Sequence, residues 1–189
     1  MNQMWQTDFT YFKIIGWGWY YLSTVLDDYS RYIIHWELCS TMKTTDVKRS
    51  VEAAPEKTDI TPNNRPRLIS DNCSCYISNE LGVYLDEKHI KHVREKSNHP
   101  QKQGKIERYH RSMKNVVKLE NYYSPKELKD RLAEFVEYYN HYRYHESINN
   151  VTPADVFFGR DQQLLKQRAK IKTKTMKLRR KNQVVSILN

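Results

Sequence analysis

The first forty residues leave this chain few ways to fold. "MWQTDFTYFKI" alternates, with Trp5, Thr7, Phe9 and Tyr11 on one side and Gln6, Asp8 and Thr10 on the other. That period of two is the mark of a β-strand. "IIGWGW" is a glycine-punctuated turn, "YYLSTVL" reads as a second strand, and "DDYS" (residues 27–30) leads into a third, "RYIIHWEL". Together they form an antiparallel meander in which Asp27 and Asp28 are loop residues.

The pattern then changes. "TTDVKRSVEAA" reads as a helix with Pro55 just after it, and residues 55–66, rich in Pro and Asn, as a loop. "RLIS" is a short buried strand ending at Asp71, "SNELGVYLDEK" a helix and "IKHVR" a fifth strand. Residues 94–104 form a polar loop. The helix after it, "KIERYHRSMKNVVK", carries an apolar stripe at Ile106, Tyr109, Met113, Val116 and Val117. A longer helix opens on Ser124, Pro125 and Glu127, a capping box with proline at the first helical position. Its apolar face is Leu128, Leu132, Phe135, Val136, Tyr139 and Tyr142. Thr152 and Pro153 repeat that start. A meander followed by alternating helices and strands implies a mixed α/β sheet with helices on its faces.

Charge separates a body from a tail. The 189 residues carry a net +10, but residues 160–189 hold ten Lys/Arg against the single acid Asp161, leaving the body near +1. We therefore expect a core over 1–159, with a C-terminal helical segment from about 124 to 159, and a basic flexible tail over 160–189. Such a tail is attracted to polyanions, nucleic acid above all. No apolar run approaches the roughly 18 residues of a membrane span. The start, "MNQMWQTDFT", is not a signal peptide. Three cysteines make no disulfide framework, which places the chain in a reducing cytoplasm.

Cys73 and Cys75, one residue apart in "LISDNCSCYIS", invite a metal or redox reading. A zinc site wants four ligands, usually in pairs two to four residues apart. Neither Cys39 nor His89, His92 and His99 completes such a spacing, so semi-buried thiols are expected. The carboxylates are better placed. Asp8 lies on the polar face of the first strand, and Asp71 at the carboxyl end of the fourth, where open α/β sheets bind ligands. Glu107 opens a helix, and Lys114 follows seven residues later, about 20° short of two turns, on the same face with His110 and Arg111 between. On helix geometry alone, an ordinary solvated face with a Glu107–Arg111 pair accounts for that row better. In "YYNHYRYH" the helical stripe favours core packing over base stacking, leaving Tyr138, Arg143 and Tyr144 for other contacts.

Joint spacing alters the balance. Asp8 and Asp71 are separated by 62 residues, and Asp71 and Glu107 by 35. With "WQTDFTY", "YYLSTVLDDYSRYIIHWEL", "ISDN…Y", "HPQKQGKIERYHRSMK" and "YNHYRYHESINNVTPADVFFG" in that order, residues 3–160 resemble the DDE transposases of bacterial insertion sequences and the retroviral integrases. The resemblance implies a ribonuclease-H-like fold with a five-stranded mixed sheet flanked by helices. It implies that Asp8, Asp71 and Glu107 are the catalytic, metal-binding triad. The cofactor would be two Mg²⁺ ions, replaceable by Mn²⁺, one held by Asp71 and Asp8 and the other by Asp8 and Glu107. Lys105, His110, Arg111 and Lys114 would contact DNA, at the element's ends and the target. The implied activity is 3′-end cleavage and strand transfer by a homo-oligomer on DNA, in a bacterial cytoplasm at the nucleoid. A helix-turn-helix region that reads element ends would be separate or missing. Family members commonly have glycine where Cys73 stands, which suits a positive φ or close backbone approach. A ribonuclease-H-like nuclease and an inactive DNA-binding remnant are the alternative readings.

Overall fold

The computed structural model describes residues 2–55, 58, 65–94 and 103–187. The expected meander is present as β1 (Met4–Ile14), β2 (Gly18–Asp27) and β3 (Ile33–Cys39). There follow α1 (Thr44–Ala53), β4 (Arg67–Ser70), α2 (Ser74–Ile77), α3 (Asn79–Glu87), β5 (His92–Arg94), α4 (Gly104–Val117) and α5 (Pro125–His141). A 3₁₀ turn (Glu146–Ile148), α6 (Pro153–Phe157) and α7 (Asp161–Ile187) complete the chain. The loops expected over 55–66 and 94–104 lie largely outside the described residues.

The sheet order is β3-β2-β1-β4-β5. β1 runs antiparallel to β2, from Trp5 opposite Asp27 to Ile14 opposite Gly18, and parallel to β4, from Met4 opposite Arg67 to Gln6 opposite Ile69. The β1–β2 turn passes through Gly16 and Gly18 at φ values of 78° and 89°, a region that strains a residue with a Cβ.

Two cores sandwich the sheet. Phe12, Ile14, Leu22, Leu26 and Ile33 pack under α4 and α5, whereas Trp5, Val25, Ile34 and Leu68 pack under α1, α2 and α3. This corrects the simple alternation expected of β1. Its even-numbered face carries polar Gln6, Asp8 and Thr10 and then turns apolar at Phe12 and Ile14. On its odd-numbered face Trp5 is buried and Tyr11 is half exposed. Each helical layer covers only part of the strand. The α4–α5 layer reaches the hairpin end, where the Ile15 amide donates to the Tyr122 carbonyl at 2.9 Å.

Both proline-led helix starts form. Ser124 Oγ accepts the Glu127 amide at 3.2 Å, and Thr152 Oγ1 accepts the Asp155 amide at 3.2 Å, caps worth about 1 kcal/mol each. Asn140 in α5 grips the start of β3. Its Oδ1 accepts the Ile33 amide at 2.9 Å and its Nδ2 donates to the Ile33 carbonyl at 3.1 Å. The basic tail, expected to be flexible, is helical over Asp161–Ile187, in keeping with its Ala, Leu, Lys, Gln and Arg, strong helix formers. Arg168 ties it back by donating to the Asn150 carbonyl at 2.6 Å and lying over the Tyr144 ring. Among the described residues no helix is long and apolar enough to cross a membrane.

Candidate active site

The site is built where β1 passes beneath the start of α4. Gln6 is fully buried in β1. Its Oε1 accepts the Ile106 amide at 3.0 Å, and its Nε2 donates to Asp28 Oδ1 at 2.6 Å. The first amides of a helix have no partner within it. Gln6 supplies one, fixing α4 against β1 two residues before Asp8. Asp28 also holds Lys105, whose ammonium pairs with its carboxylate and donates to its carbonyl at 2.9 Å. Asp27, fully buried, gathers the Asn2 amide, the Ser30 amide and the Ser30 hydroxyl at 2.8, 2.8 and 2.6 Å. The loop reading of this pair is thus corrected: Asp27 shapes the β2–β3 turn and Asp28 anchors α4. Sequence reasoning missed Gln6 because a glutamine in an alternating strand reads as solvent-facing.

Asp8 shares its face of β1 with Gln6. Oδ1 accepts the Phe9 amide at 2.8 Å, and Oδ2 lies 3.3 Å from His110 Nδ1. Glu107 is exposed and lines the same groove as Asp8, together with Tyr11, His110, Arg111 and Lys114. The groove encloses about 390 Å³. Asp71 directly follows β4. The parallel pairing of β4 with β1 ends with Gln6 opposite Ile69, two residues before Asp71 on one strand and Asp8 on the other. Asp71 Oδ1 accepts the Cys73 amide at 3.0 Å. Tyr76, fully buried, meets Thr7 Oγ1 through its hydroxyl at 3.3 Å. Burial raises its phenol well above the ordinary value, and the charges of Asp8 and Asp71 add to the rise.

Among the described residues no three His, Cys, Asp or Glu side chains stand together as a ready-made metal cluster. Asp8 and Glu107 share the groove, while Asp71, just past the end of β4 on the strand beside β1, is not part of the groove's lining. The donor set nevertheless fits a hard divalent cation, being carboxylate throughout with no thiolate.

The basic residues divide. Lys114 faces the groove with its ammonium 4.8 Å from the Tyr11 ring centre. Burial and neighbouring Lys118 push it below its usual value, and Asp8 pulls it back. Arg111 lines the groove too, and the i,i+4 pair with Glu107 is not formed. His110 is turned inward: its side chain is 8% exposed, held between Asp8 and Thr24 Oγ1, 3.5 Å from Nε2. The helical repeat placed it on the outward row, but the stripe of Ile106, Tyr109, Met113 and Val117 rotates position 110 toward the sheet.

The thiols are not arranged for metal. All three cysteines are free. Burial pushes the Cys75 thiol up to about 12 and the Cys39 thiol up to about 11, which keeps both protonated at neutral pH. His92 Nε2 meets Ser70 Oγ at 2.8 Å, and His99 lies outside the described residues. Cys73 has φ −61° and ψ 147°, an extended conformation open to any residue, so no positive φ calls for glycine there.

An integrase core domain family matches residues 1–100, and a second integrase core domain description matches residues 88–153. The chain belongs to the integrase core domain family. A putative transposase InsK for insertion sequence element IS150 of Escherichia coli (strain K12) is 27% identical over 155 residues, covering 82% of this chain and 54% of that protein. This integrase core therefore spans about half the length of that relative. The HTLV-2 integrase catalytic core domain in complex with magnesium, in a trimeric form, matches with a TM-score of 0.65 at 19% identity. That match covers 82% of this chain and 96% of the other. The BIV integrase catalytic core domain matches with a TM-score of 0.64 at 17% identity, over 87% and 99%. At these identities the likeness is one of fold, and it gives this integrase core the ribonuclease-H-like architecture.

Proposed function

We propose that this integrase core cleaves DNA 3′ ends and transfers them to target DNA, as the catalytic part of a transposase. The observation that carries the reading is one groove shared by Asp8, Glu107, Arg111 and Lys114, with Asp71 at the adjoining end of β4, in a chain of this family. The putative transposase activity of the IS150 relative and the magnesium of the HTLV-2 neighbour support it.

Asp8, between the other two acids, would share two Mg²⁺ ions with Asp71 and Glu107, and Mn²⁺ would substitute. When bound, such a pair supplies an activated nucleophile and shields charge on the phosphoryl oxygens. The protein's own work is positional. His110 and the Phe9 amide hold Asp8, Gln6 holds the start of α4 and hence Glu107, and Arg111 and Lys114 hold the phosphate backbone. Water adds to phosphorus as the bond to the 3′-oxygen breaks and that oxygen takes a proton. The freed 3′-hydroxyl then attacks a target phosphodiester and displaces its 3′-oxygen. No covalent protein–DNA intermediate is required. Joining two ends calls for a dimer or larger oligomer on DNA, and a helix-turn-helix region elsewhere would choose the ends. The basic helix α7 would add salt-sensitive affinity at the nucleoid, in the cytoplasm.

The test is a labelled duplex mimicking an element end, incubated with purified protein and Mg²⁺ or Mn²⁺, with a longer protein carrying this chain assayed alongside. Cleaved and joined products are expected. Asp8→Asn, Asp71→Asn and Glu107→Gln should each reduce both to background, and joining that survives any one of them refutes the triad. Cleavage without joining identifies a nuclease, and binding alone an inactive remnant. Deleting α7 should lower the salt dependence of binding; no change would remove its assigned role.

A further inference from the structure

A second pocket, of about 320 Å³, opens on the next flank of α4. Three separate elements send cations into it: Arg31 from the β2–β3 turn, Lys105, Arg108 and Arg111 from α4, and Arg143 from just beyond α5. Glu146 is the one acid in its lining. Lys105 is already neutralised by Asp28. Arg108, Arg111 and Arg143 have no carboxylate partner among the described residues.

Two of these cations have contacts of their own. Arg31 sits at φ 70° in the left-handed region, its amide donating to the Asp27 carbonyl at 2.9 Å and its guanidinium to the Asp28 carbonyl. The Arg143 guanidinium lies over the Tyr139 ring, 5.9 Å from its centre. At the pocket wall, His145 Nε2 is buried with no hydrogen-bond partner. Burial, Arg143 and Arg31 push that imidazole down to about 4, so it stays neutral and adds no charge of its own. Gathering like charges this way is unfavourable unless an anion joins them.

We propose that this pocket binds a phosphate of the DNA backbone, so that the strand presented to Asp8 and Glu107 continues across α4. The inference rests on the nucleic-acid reading above. Arg111 decides between a polymer and a free anion: it lines both this pocket and the Asp8 groove, so one continuous polyanion meets both. The guanidinium fork also suits phosphate oxygens geometrically.

Binding of a labelled duplex in EDTA, followed by anisotropy across a salt series, tests this without any metal. Arg108→Ala and Arg143→Ala should each lower the slope of log K against log salt by about 1. Arg143→Lys, which keeps the charge, should retain the slope, and thermal melts confirm that each variant is folded. Lys129→Ala, on an exposed face of α5, should change nothing. Unchanged slopes in both arginine variants overturn the proposal. So does binding of inorganic phosphate that depends on Arg143 while the duplex slope does not. If carboxylate variants still join DNA while the arginine variants lose slope, the catalytic assignment fails and the pocket stands.

Discussion

Replacing Gln6 with leucine tests how the site is held together. The two side chains are similar in size, so packing changes little and polar contacts change most. The Ile106 amide, buried beneath α4, loses its acceptor at 3.0 Å, and an orphaned buried donor costs about 1–3 kcal/mol. Asp28 loses a donor at 2.6 Å. Hydrogen bonds to charged groups contribute about 1.5–3 kcal/mol, and the low end applies because Lys105 remains on Asp28. The sum is about 3 kcal/mol. In a chain of this size each kcal/mol lowers Tm by about 2–4 °C, so a fall of about 6–12 °C is expected, alongside a lower urea midpoint read by tryptophan fluorescence. Gln6→Glu refines the test. It keeps the acceptor for Ile106 but sets a carboxylate against Asp28, which raises its proton affinity in the folded state. Its stability should therefore recover as pH falls and that carboxyl protonates. A Gln6→Leu protein within about 0.5 kcal/mol of the parent would show that the bonds to Ile106 and Asp28 do not position α4.

Asn140→Ala removes both partners of Ile33 and should cost about 2–4 kcal/mol in urea denaturation; a loss below about 1 kcal/mol would mean that water replaces the amide. Cys73→Gly should destabilise by about 0.5–1 kcal/mol, since the site's φ of −61° gives glycine no conformational advantage and adds freedom to the unfolded chain. A gain in stability or in strand transfer would show that glycine suits this position better than Cys73 does. His145, pushed down to about 4 when folded against about 6.5 unfolded, takes up its proton first in the unfolded chain. Stability is thus complete above pH 6.5 and falls as pH drops toward 4. His145→Gln should flatten that part of the profile measured between pH 7.5 and 5, and an unchanged slope would count against the burial argument.

Much of the frame was legible because it depends on local chemistry. The strands of the meander follow from short-range alternation and glycine turns, and Ser124 and Thr152 cap helices wherever those helices pack. The acids were legible only jointly, through their spacing and the motifs around them. What stayed hidden depends on objects that arrive from elsewhere in the chain. β1 reads as two-faced until helices cover different lengths of it. Asp28 reads as a turn residue until Lys105 arrives from 77 positions away. His110 reads as outward until the sheet supplies Asp8 and Thr24. The helix α7 is a different case: charge marks the segment as a basic tail, while its helical form follows from Lys, Arg and Gln being good helix formers.

These hidden contacts matter because α4 serves three surfaces at once. Ile106, Tyr109, Met113 and Val117 face the core, Glu107, Arg111 and Lys114 face the Asp8 groove, and Lys105, Arg108 and Ser112 face the cationic pocket. At 100° per residue, a slip of one position would present the wrong stripe to every one of them. The apolar stripe alone does not fix the helix along its own axis, because apolar contacts have little directionality. Directional bonds at the first turn do. Gln6 sets the height and rotation of Ile106, and Asp28 sets those of Lys105. Both anchors lie within two residues of Glu107, so the acid farthest from the sheet's own register is placed by the most directional contacts on the helix. Gln6 and Asp28 thus determine where the acid of α4 meets the acid of β1.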